Sequence, residues 1–510
     1  MSSSDNPVSG PDLAQGIAAA AVAEGSIVLG HIGEEPALLV RHGGELFAVG
    51  ATCTHYGGPL AEGIIAGGTV RCPWHHACFN LRTGAADRPP ALAPVSCWRV
   101  EESGERVFVR ERIEQPAPAR LTRSDLPASI LIIGGGAAGT VSAETLRREG
   151  YAGPVTILSA DSAAPCDRPN LSKDYLAGTA PEEWLPLHPP EFYKDNDIGL
   201  HLGARVAAID PEGCEVRCAD GSRHGYGTLL LATGAEPVRL PVPGADRPHV
   251  HYLRTLADSR ALIAAAAGAQ RAVVVGASFI GLEVAASLRR RGLEVHVAAP
   301  ESVPMERTFG AEIGGFVRRL HEENGVVFHL GTTVAAIADK EVRLASGESL
   351  GADLVVVGIG VRPATALAEA AGLSTDRGVL VNEYLETSRS GIFAAGDLAR
   401  WPDRLSGAAI RVEHWVVAER QGQTAARNLL GRRERFEAVP FFWSQHYDTT
   451  ISYVGHAEHW DSIEISGDIA AAECAVAYRR DGRTLALATI GRDRASLSAE
   501  REFEQQIATG

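Results

Sequence analysis

A small all-β domain, then two α/β units and a C-terminal α+β domain, is the multidomain architecture this sequence predicts. Three observations predict it. At roughly 100–200 residues per domain, 510 residues make three to four domains. Short β-type runs such as Ala37–Val40 and Arg106–Val109, separated by Gly-rich turns, stop at Glu114-Gln115-Pro116-Ala117-Pro118-Ala119, where two prolines oppose regular structure. Beyond that point, apolar strands lead into Gly-rich turns and Ala/Leu/Arg helices, a parallel α/β pattern that begins at Ile130 and again at Val273. After about Arg435 it gives way to strand-like Cys474–Tyr478 and Thr484–Ile490.

Composition narrows the function classes. Hydrophobic residues are 45% and charged residues 22%, ordinary for a folded globular chain. A net charge of −15, with only Arg289–Arg291 and Arg432-Arg433 as basic clusters, argues against nucleic-acid binding. No run reaches the eighteen apolar residues of a membrane span, and Met1–Pro7 has neither the basic segment nor the apolar core of a secretory signal. A cytoplasmic protein is therefore expected. Eight cysteines in so long a chain do not make a disulfide scaffold, so metal ligation or buried thiols are expected of them. Only three lysines, at 173, 194 and 340, stand against forty-five arginines, which makes each lysine worth inspecting.

The β domain, placed at residues 12–112, carries the strongest local motif. Cys53-Thr54-His55 is followed after sixteen residues by Cys72-Pro73-Trp74-His75. Two thiolates and two imidazoles are the inventory of a [2Fe–2S] centre with two Cys on one iron and two His on the other, the Rieske ligation. A Cys2His2 zinc site needs the same four ligands, but such sites pair like ligands locally, whereas here each loop supplies one of each. The stretches Cys53–Leu60 and Cys72–Asn80 resemble the two cluster loops of Rieske ferredoxin domains. The resemblance implies Cys53, His55, Cys72 and His75 as cluster ligands. Gly58 and Trp74 stand where respiratory Rieske proteins carry a disulfide, which favours the ferredoxin type. His76 departs from the usual glycine and is expected to face solvent or support the ligands. Cys78 and Cys97 are expected to be buried thiols.

Residues 113–128 are read as a linker. Ile130–Ile133 then enters Gly134-Gly135-Gly136-Ala137-Ala138-Gly139, a strand, tight turn and helix start. Glycines let backbone approach a pyrophosphate, whose charge the helix N-terminus stabilises, and Asp161, 22 residues after Gly139, is placed to hold a ribose. The second unit reads Val273-Val274-Val275-Gly276-Ala277-Ser278-Phe279-Ile280-Gly281-Leu282-Glu283, with Ser278 in the middle glycine's place. After the strand Glu294–Ala298 the usual acidic position is Ala299, with Glu301 two residues on. No arginine follows within a few residues to meet a 2′-phosphate, which favours NADH while leaving NADPH open.

Two such units resemble the two-dinucleotide-domain flavoproteins related to glutathione reductase. Further motifs carry the resemblance over about residues 126–435: Asp167–Lys173, Leu231–Ala235, Gly358–Pro363 and Gly391–Asp397. Only Cys166 stands where the disulfide-reducing branch has a Cys-x4-Cys, so that branch is disfavoured. Arg411–Trp415 and Pro440–Ser444 make the closer resemblance one to oxygenase-type ferredoxin reductases and apoptosis-inducing-factor-like proteins, in the form with an N-terminal Rieske domain. This implies Rossmann-like domains for FAD at 129–245 and 361–435 and for NAD(P)H at 246–360, and a reductase-type domain at 436–510. It implies Lys173 beside the flavin ring, Arg168, Val206, Arg254 and Trp415 against FAD, Asp397 on the ribityl chain, and Gly360 in the crossover segment. Gly276, Ser278, Gly281 and Glu301 would bind the nicotinamide nucleotide, and Glu283 would face its reactive ring. Trp443 is as readily a packing residue as a flavin contact.

The combined expectation is an NAD(P)H-dependent oxidoreductase passing electrons through FAD to the fused cluster. Lys173 and Glu283 would be its catalytic residues, and a ferredoxin, oxygenase or cytochrome its acceptor class. A homodimer is compatible with this. The alternative is an apoptosis-inducing-factor-like redox-sensitive signalling or scaffold flavoprotein. A terminal Rieske oxygenase would need a mononuclear iron on two His and a carboxylate. His446, His456 and His459 have no spacing that suits one.

Overall fold

The computed structural model describes residues 10–114 and 118–509, so most of the loose N-terminal stretch and linker residues 115–117 lie outside the described residues. The chain forms two compact units: Met1–Ala119 together with Arg492–Gly510, and Arg120–Gly491.

The first unit is built on a six-stranded antiparallel sheet. Its order is Ile17–Ala18, Arg106–Arg112, Cys97–Ser103, Glu45–Gly50, Glu35–His42, Ile27–Ile32. Side chains alternate across a strand, and Glu35–His42 is buried on both faces as a result. Leu38 and Val40 join Val49 on the side that holds the cysteine loops, while Ala37 and Leu39 join Ala48, Val107 and Val109 on the other. Four short strands, Ile64–Ala66, Thr69–Arg71, Cys78–Asn80 and Ala86–Arg88, form a second antiparallel sheet. Its Val70 and Phe79 pack into the first of these cores. The helix Asp493–Thr509 belongs to this unit. Its carboxylates meet Arg71 and Arg88, as described below.

The second unit holds two five-stranded parallel sheets. The first runs Ile198–His201, Val155–Leu158, Ile130–Ile133, Thr228–Leu231, Ile392–Ala394. The second runs Val250–Tyr252, Leu354–Val357, Arg271–Val275, Glu294–Ala299, Val326–Leu330. Strands buried on both faces read as continuous apolar runs, as Ile130–Ile133 and Ala272–Val275 do. Phe441–His446 opens a five-stranded antiparallel sheet in the order Phe441–His446, Thr449–Gly455, Arg483–Ile490, Glu473–Arg480, Ser462–Asp468. Its Phe442, Ile451, Tyr453 and Tyr478 share one core with Val274, Leu282 and Phe309 of the second α/β domain. That shared core brings the Phe441–His446 strand against the Phe279–Arg290 helix.

Candidate functional sites

In the first unit the two cysteine loops bring all four expected ligands together. Cys53 and Cys72 are buried free thiols, and His55 Nδ1 lies 3.2 Å from His75 Nδ1. The two sulfurs share a proton: the hydrogen bond to Cys72 pushes the Cys53 thiol far up, and the bond from Cys53 holds Cys72 down. Backbone N–H groups of His55 and Tyr56 donate to Cys53 Sγ, and those of Trp74 and His75 to Cys72 Sγ. Such donors favour thiolate and tune the potential of an iron–sulfur centre. Burial pushes His55 down to about 3, leaving it a neutral ligand imidazole.

The surroundings fit a compact cluster. A Cβ at Gly58 would sit 2.8 Å from Cys72 Sγ and 3.2 Å from the Trp74 ring, so only glycine leaves the sulfur room. Two sulfurs within hydrogen-bonding reach of each other and two imidazole nitrogens 3.2 Å apart would suit one iron each.

His76 does not face solvent. It is fully buried at φ +60, a left-handed conformation that glycine adopts without strain. Its ring is held by the last helix, with Nε2 3.1 Å from Ser496 Oγ and Nδ1 3.2 Å from Glu500 Oε2. Glu500, itself fully buried, also accepts from Arg71 at 3.2 Å, and Glu504 accepts from Arg71 at 2.7 Å and from Arg88. Glu500, Glu504, Arg71 and Arg88 had no signal in the sequence, because the partners lie on opposite ends of the chain.

The second unit contains a cavity of about 390 Å³ that touches both glycine turns. Gly136 and Ala138 line it from the first helix start, and Ser278, Phe279 and Ile280 from the second. Each turn is closed by backbone contact: a Cβ at Gly139 would lie 2.0 Å from Gly134 O, and one at Gly281 would lie 2.3 Å from Gly276 O. Gly134, Gly139, Gly276 and Gly281 therefore shape the turns rather than line the cavity. Neither helix has a side-chain cap, so their first N–H groups remain for an anion. Ser278 has φ −107, extended backbone open to any residue, which is why serine replaces glycine there without strain.

Arg168, Lys173, Arg254, Gly360, Asp397 and Trp415 also line this cavity, as does Trp443. Arg254 donates to Asp397 at 2.7 Å and Arg168 to Asp161 at 2.9 Å. Burial and the neighbouring Arg254 guanidinium push Arg168 below the ordinary arginine value. Arg254 Nε has no hydrogen-bond partner among the described residues. Two crowded guanidiniums with an unused donor are what a diphosphate would satisfy, so the residues fit a dinucleotide. Asp161 lines a smaller adjoining pocket with Arg168 and Thr255. Val206 packs against the first α/β core and Glu301 lies 3.9 Å from Arg307; neither lines either cavity.

Lys173 Nζ donates to Glu283 Oε2 at 2.8 Å on the cavity wall, joining the two expected catalytic residues in one pair. Glu413 and His414 line the cavity as well; burial raises Glu413, and burial lowers His414 to about 3. His414 stacks on Phe442 at 3.8 Å. Burial pushes Glu419 well above the usual carboxylate range, and it bonds to Trp415. Sequence reading singled out neither His414 nor Glu419 individually, though His414 lies in the quoted Arg411–Trp415 stretch.

Family models match along the chain: Rieske [2Fe-2S] domain over residues 16–99, Pyridine nucleotide-disulphide oxidoreductase over 128–422, and Reductase C-terminal over 441–509. Human apoptosis-inducing factor 3 is 35% identical over 475 residues, covering 89% of this chain and 78% of that protein. Rhodocoxin reductase of Rhodococcus erythropolis is 36% identical, covering 73% of this chain and 88% of its own. The solved putidaredoxin reductase–putidaredoxin covalent complex superposes with a TM-score of 0.72 at 34% identity, covering 74% of this chain and 93% of the matched one.

Proposed function

This chain belongs to the pyridine nucleotide-disulphide oxidoreductase family, as a ferredoxin-reductase-type member with a Rieske [2Fe-2S] domain, and on that premise we propose that it draws electrons from NAD(P)H at the Lys173–Glu283 pair and passes them on to a ferredoxin-type acceptor. The observation that carries this is the single cavity reached by both glycine turns, which lets two dinucleotides meet end to end. When bound, FAD supplies the conversion of a two-electron hydride into single electrons that a [2Fe–2S] centre can hold.

The chain's own residues prepare that chemistry. Arg168 and Arg254, with the uncapped helix starting at Ala137, hold a diphosphate's charge. Asp397, oriented by Arg254, would accept from a ribityl hydroxyl. Lys173 places a cation on the cavity wall, where it would lie beside the flavin ring and favour negative charge on it. Glu283 puts a carboxylate on the same wall, where it would face the nicotinamide and could stabilise positive charge on that ring. Trp415, Phe442 and Trp443 exclude water from the reacting faces. Cys53, His55, Cys72 and His75 hold the cluster, and fusion in one chain raises the effective concentration of one centre for the other.

No arginine follows the Glu294–Ala299 strand within a few residues to meet a 2′-phosphate, which favours NADH. A reducing cytoplasm suits eight cysteines that all carry free thiols. The deciding experiment is anaerobic mixing of the holoprotein with NADH and, separately, NADPH. Flavin and cluster absorbance should both bleach, faster with NADH, and a [2Fe–2S] ferredoxin should then be reduced. If neither nucleotide reduces either centre, the redox-sensitive scaffold reading takes over. Zinc in place of iron and acid-labile sulfide would end the cluster assignment.

A further inference from the structure

Behind the Lys173–Glu283 pair the polar contacts continue inward. Glu283 Oε2 accepts from Lys173 at 2.8 Å and from Ser172 Oγ at 2.6 Å, while Oε1 accepts from Ser444 Oγ at 2.8 Å. Ser444 Oγ lies 3.1 Å from His446 Nε2, and His446 Nδ1 lies 3.2 Å from His321 Nε2. Glu283 is 3% exposed, and Ser444, His446 and His321 are 0% exposed. The shared core described above brings these residues together from three elements. Lys173 and Ser172 face the carboxylate from the stretch after Arg168, Ser444 and His446 from the Phe441–His446 strand, and His321 from the Glu306–Glu323 helix.

The polarity of this chain follows from donor counting. A carboxylate can only accept, so the single proton of Ser444 is committed to Glu283. The Ser444 oxygen must then accept from His446, which makes His446 an Nε2–H tautomer with Nδ1 as acceptor. His321 must in turn donate through Nε2, and its Nδ1 is left as a lone pair. His321 Nδ1 has no partner among the described residues, as this polarity requires, for no N–H is stranded there. Burial lowers both rings, His446 to about 3, so both are neutral and carry one proton each. The chain ends in the core and reaches no solvent, so it orients rather than conducts.

We propose that Ser444 and His446 are positioning residues for nucleotide oxidation: with His321 they form a one-directional hydrogen-bond chain that holds Glu283 as an anion and thereby fixes Lys173 at the ring end of the cavity. The inference rests on the NAD(P)H-oxidising reading of that cavity. Without the Ser444 donor, the buried carboxylate keeps only the Lys173 and Ser172 contacts on one oxygen. Its protonation becomes easier, and the Lys173 ammonium loses its anchor when that happens.

Two measurements test this. In the FAD-loaded protein labelled with ¹⁵N at histidine, His446 and His321 should both be neutral Nε2–H tautomers from about pH 5 to 8, the range in which free imidazole titrates. An Nδ1–H tautomer or an imidazolium at either position overturns the proposal, whatever the nucleotide does. The second measurement compares Ser444→Ala, His446→Leu and His446→Gln by anaerobic flavin reduction with NADH. Ser444→Ala should move the acid limb of the reduction rate upward by roughly one to two pH units, the loss of one bond to a charged group, and His446→Leu should move it the same way by less, because Ser444 keeps its proton on Glu283. The limiting rate should fall with little change in nucleotide affinity. Glutamine offers an N–H to Ser444 and a carbonyl to His321, so His446→Gln should restore the wild-type limb. An unmoved limb in the first two, or a glutamine variant as impaired as leucine, refutes the role. If NADH reduces no flavin even in the wild type, the functional reading fails, while the tautomer result still decides the chain's polarity.

Discussion

Replacing Glu500 by alanine should destabilise the cluster-bearing unit while leaving the flavin unit untouched. The carboxylate is fully buried, accepts from Arg71, whose side chain is 8% exposed, and lies 3.2 Å from Nδ1 of the fully buried His76. Removing one partner of a buried ion pair costs about 3–5 kcal/mol, because the other charge stays behind. The lower end applies here: Arg71 keeps its 2.7 Å contact with Glu504, and His76 keeps Ser496. About 3 kcal/mol at roughly 3–5 °C per kcal/mol, for a unit of this size, lowers its melting temperature by about 10 °C. Thermal melts followed by the visible circular dichroism of the cluster, with flavin release read separately by fluorescence, measure it. Glu500→Gln, which keeps the shape and accepts through its carbonyl, should lose less than half as much. A cluster transition that moves less than about 2 °C in Glu500→Ala, or a flavin transition that falls equally far, refutes the reasoning.

Two further outcomes follow from named contacts. Gly58→Ala places a Cβ 2.8 Å from Cys72 Sγ, so the protein should fold but incorporate iron and sulfide poorly, as metal analysis would show against full flavin occupancy. His446 is held neutral in the fold by burial, at about 3, whereas the unfolded imidazole titrates near 6.5. The unfolded state therefore binds the extra proton, and stability falls as pH drops below about 6.5 towards 3. In urea unfolding, the loss between pH 7.5 and 5 should be smaller in His446→Gln by about 2 kcal/mol; equal losses would refute it.

What the sequence made legible was what chemistry writes locally. Four candidate ligands in two short loops, and two glycine turns after apolar strands, depend on neighbours within a few residues, and the structure brings the four together and sets both turns at one cavity. Lys173 and Glu283 were singled out separately, and the structure joins them in one ion pair. The acidic residue Asp161 faces an adjoining pocket, while Val206 and Glu301 line neither cavity. The rest was invisible because it depends on distant partners. Ser444 and His446 gain meaning only once the C-terminal sheet shares a core with the second α/β domain. His76 looked surface-bound because the residues that bury it, Ser496 and Glu500, lie more than four hundred positions away. Arg307 lies 3.9 Å from Glu301 although it follows the strand end by eight residues, too far for local spacing to pair them.

The last helix has a consequence for biogenesis. Arg71 and its partner Glu500 are separated by 429 residues, yet both belong to one compact unit. During synthesis the β strands and cysteine loops emerge early, but the helix that buries His76 emerges only after the whole nucleotide-binding region. The two cysteine loops are thus translated more than four hundred residues ahead of the helix that covers His76. A shortened or bulky C-terminus should leave its mark on cluster retention and spare the flavin.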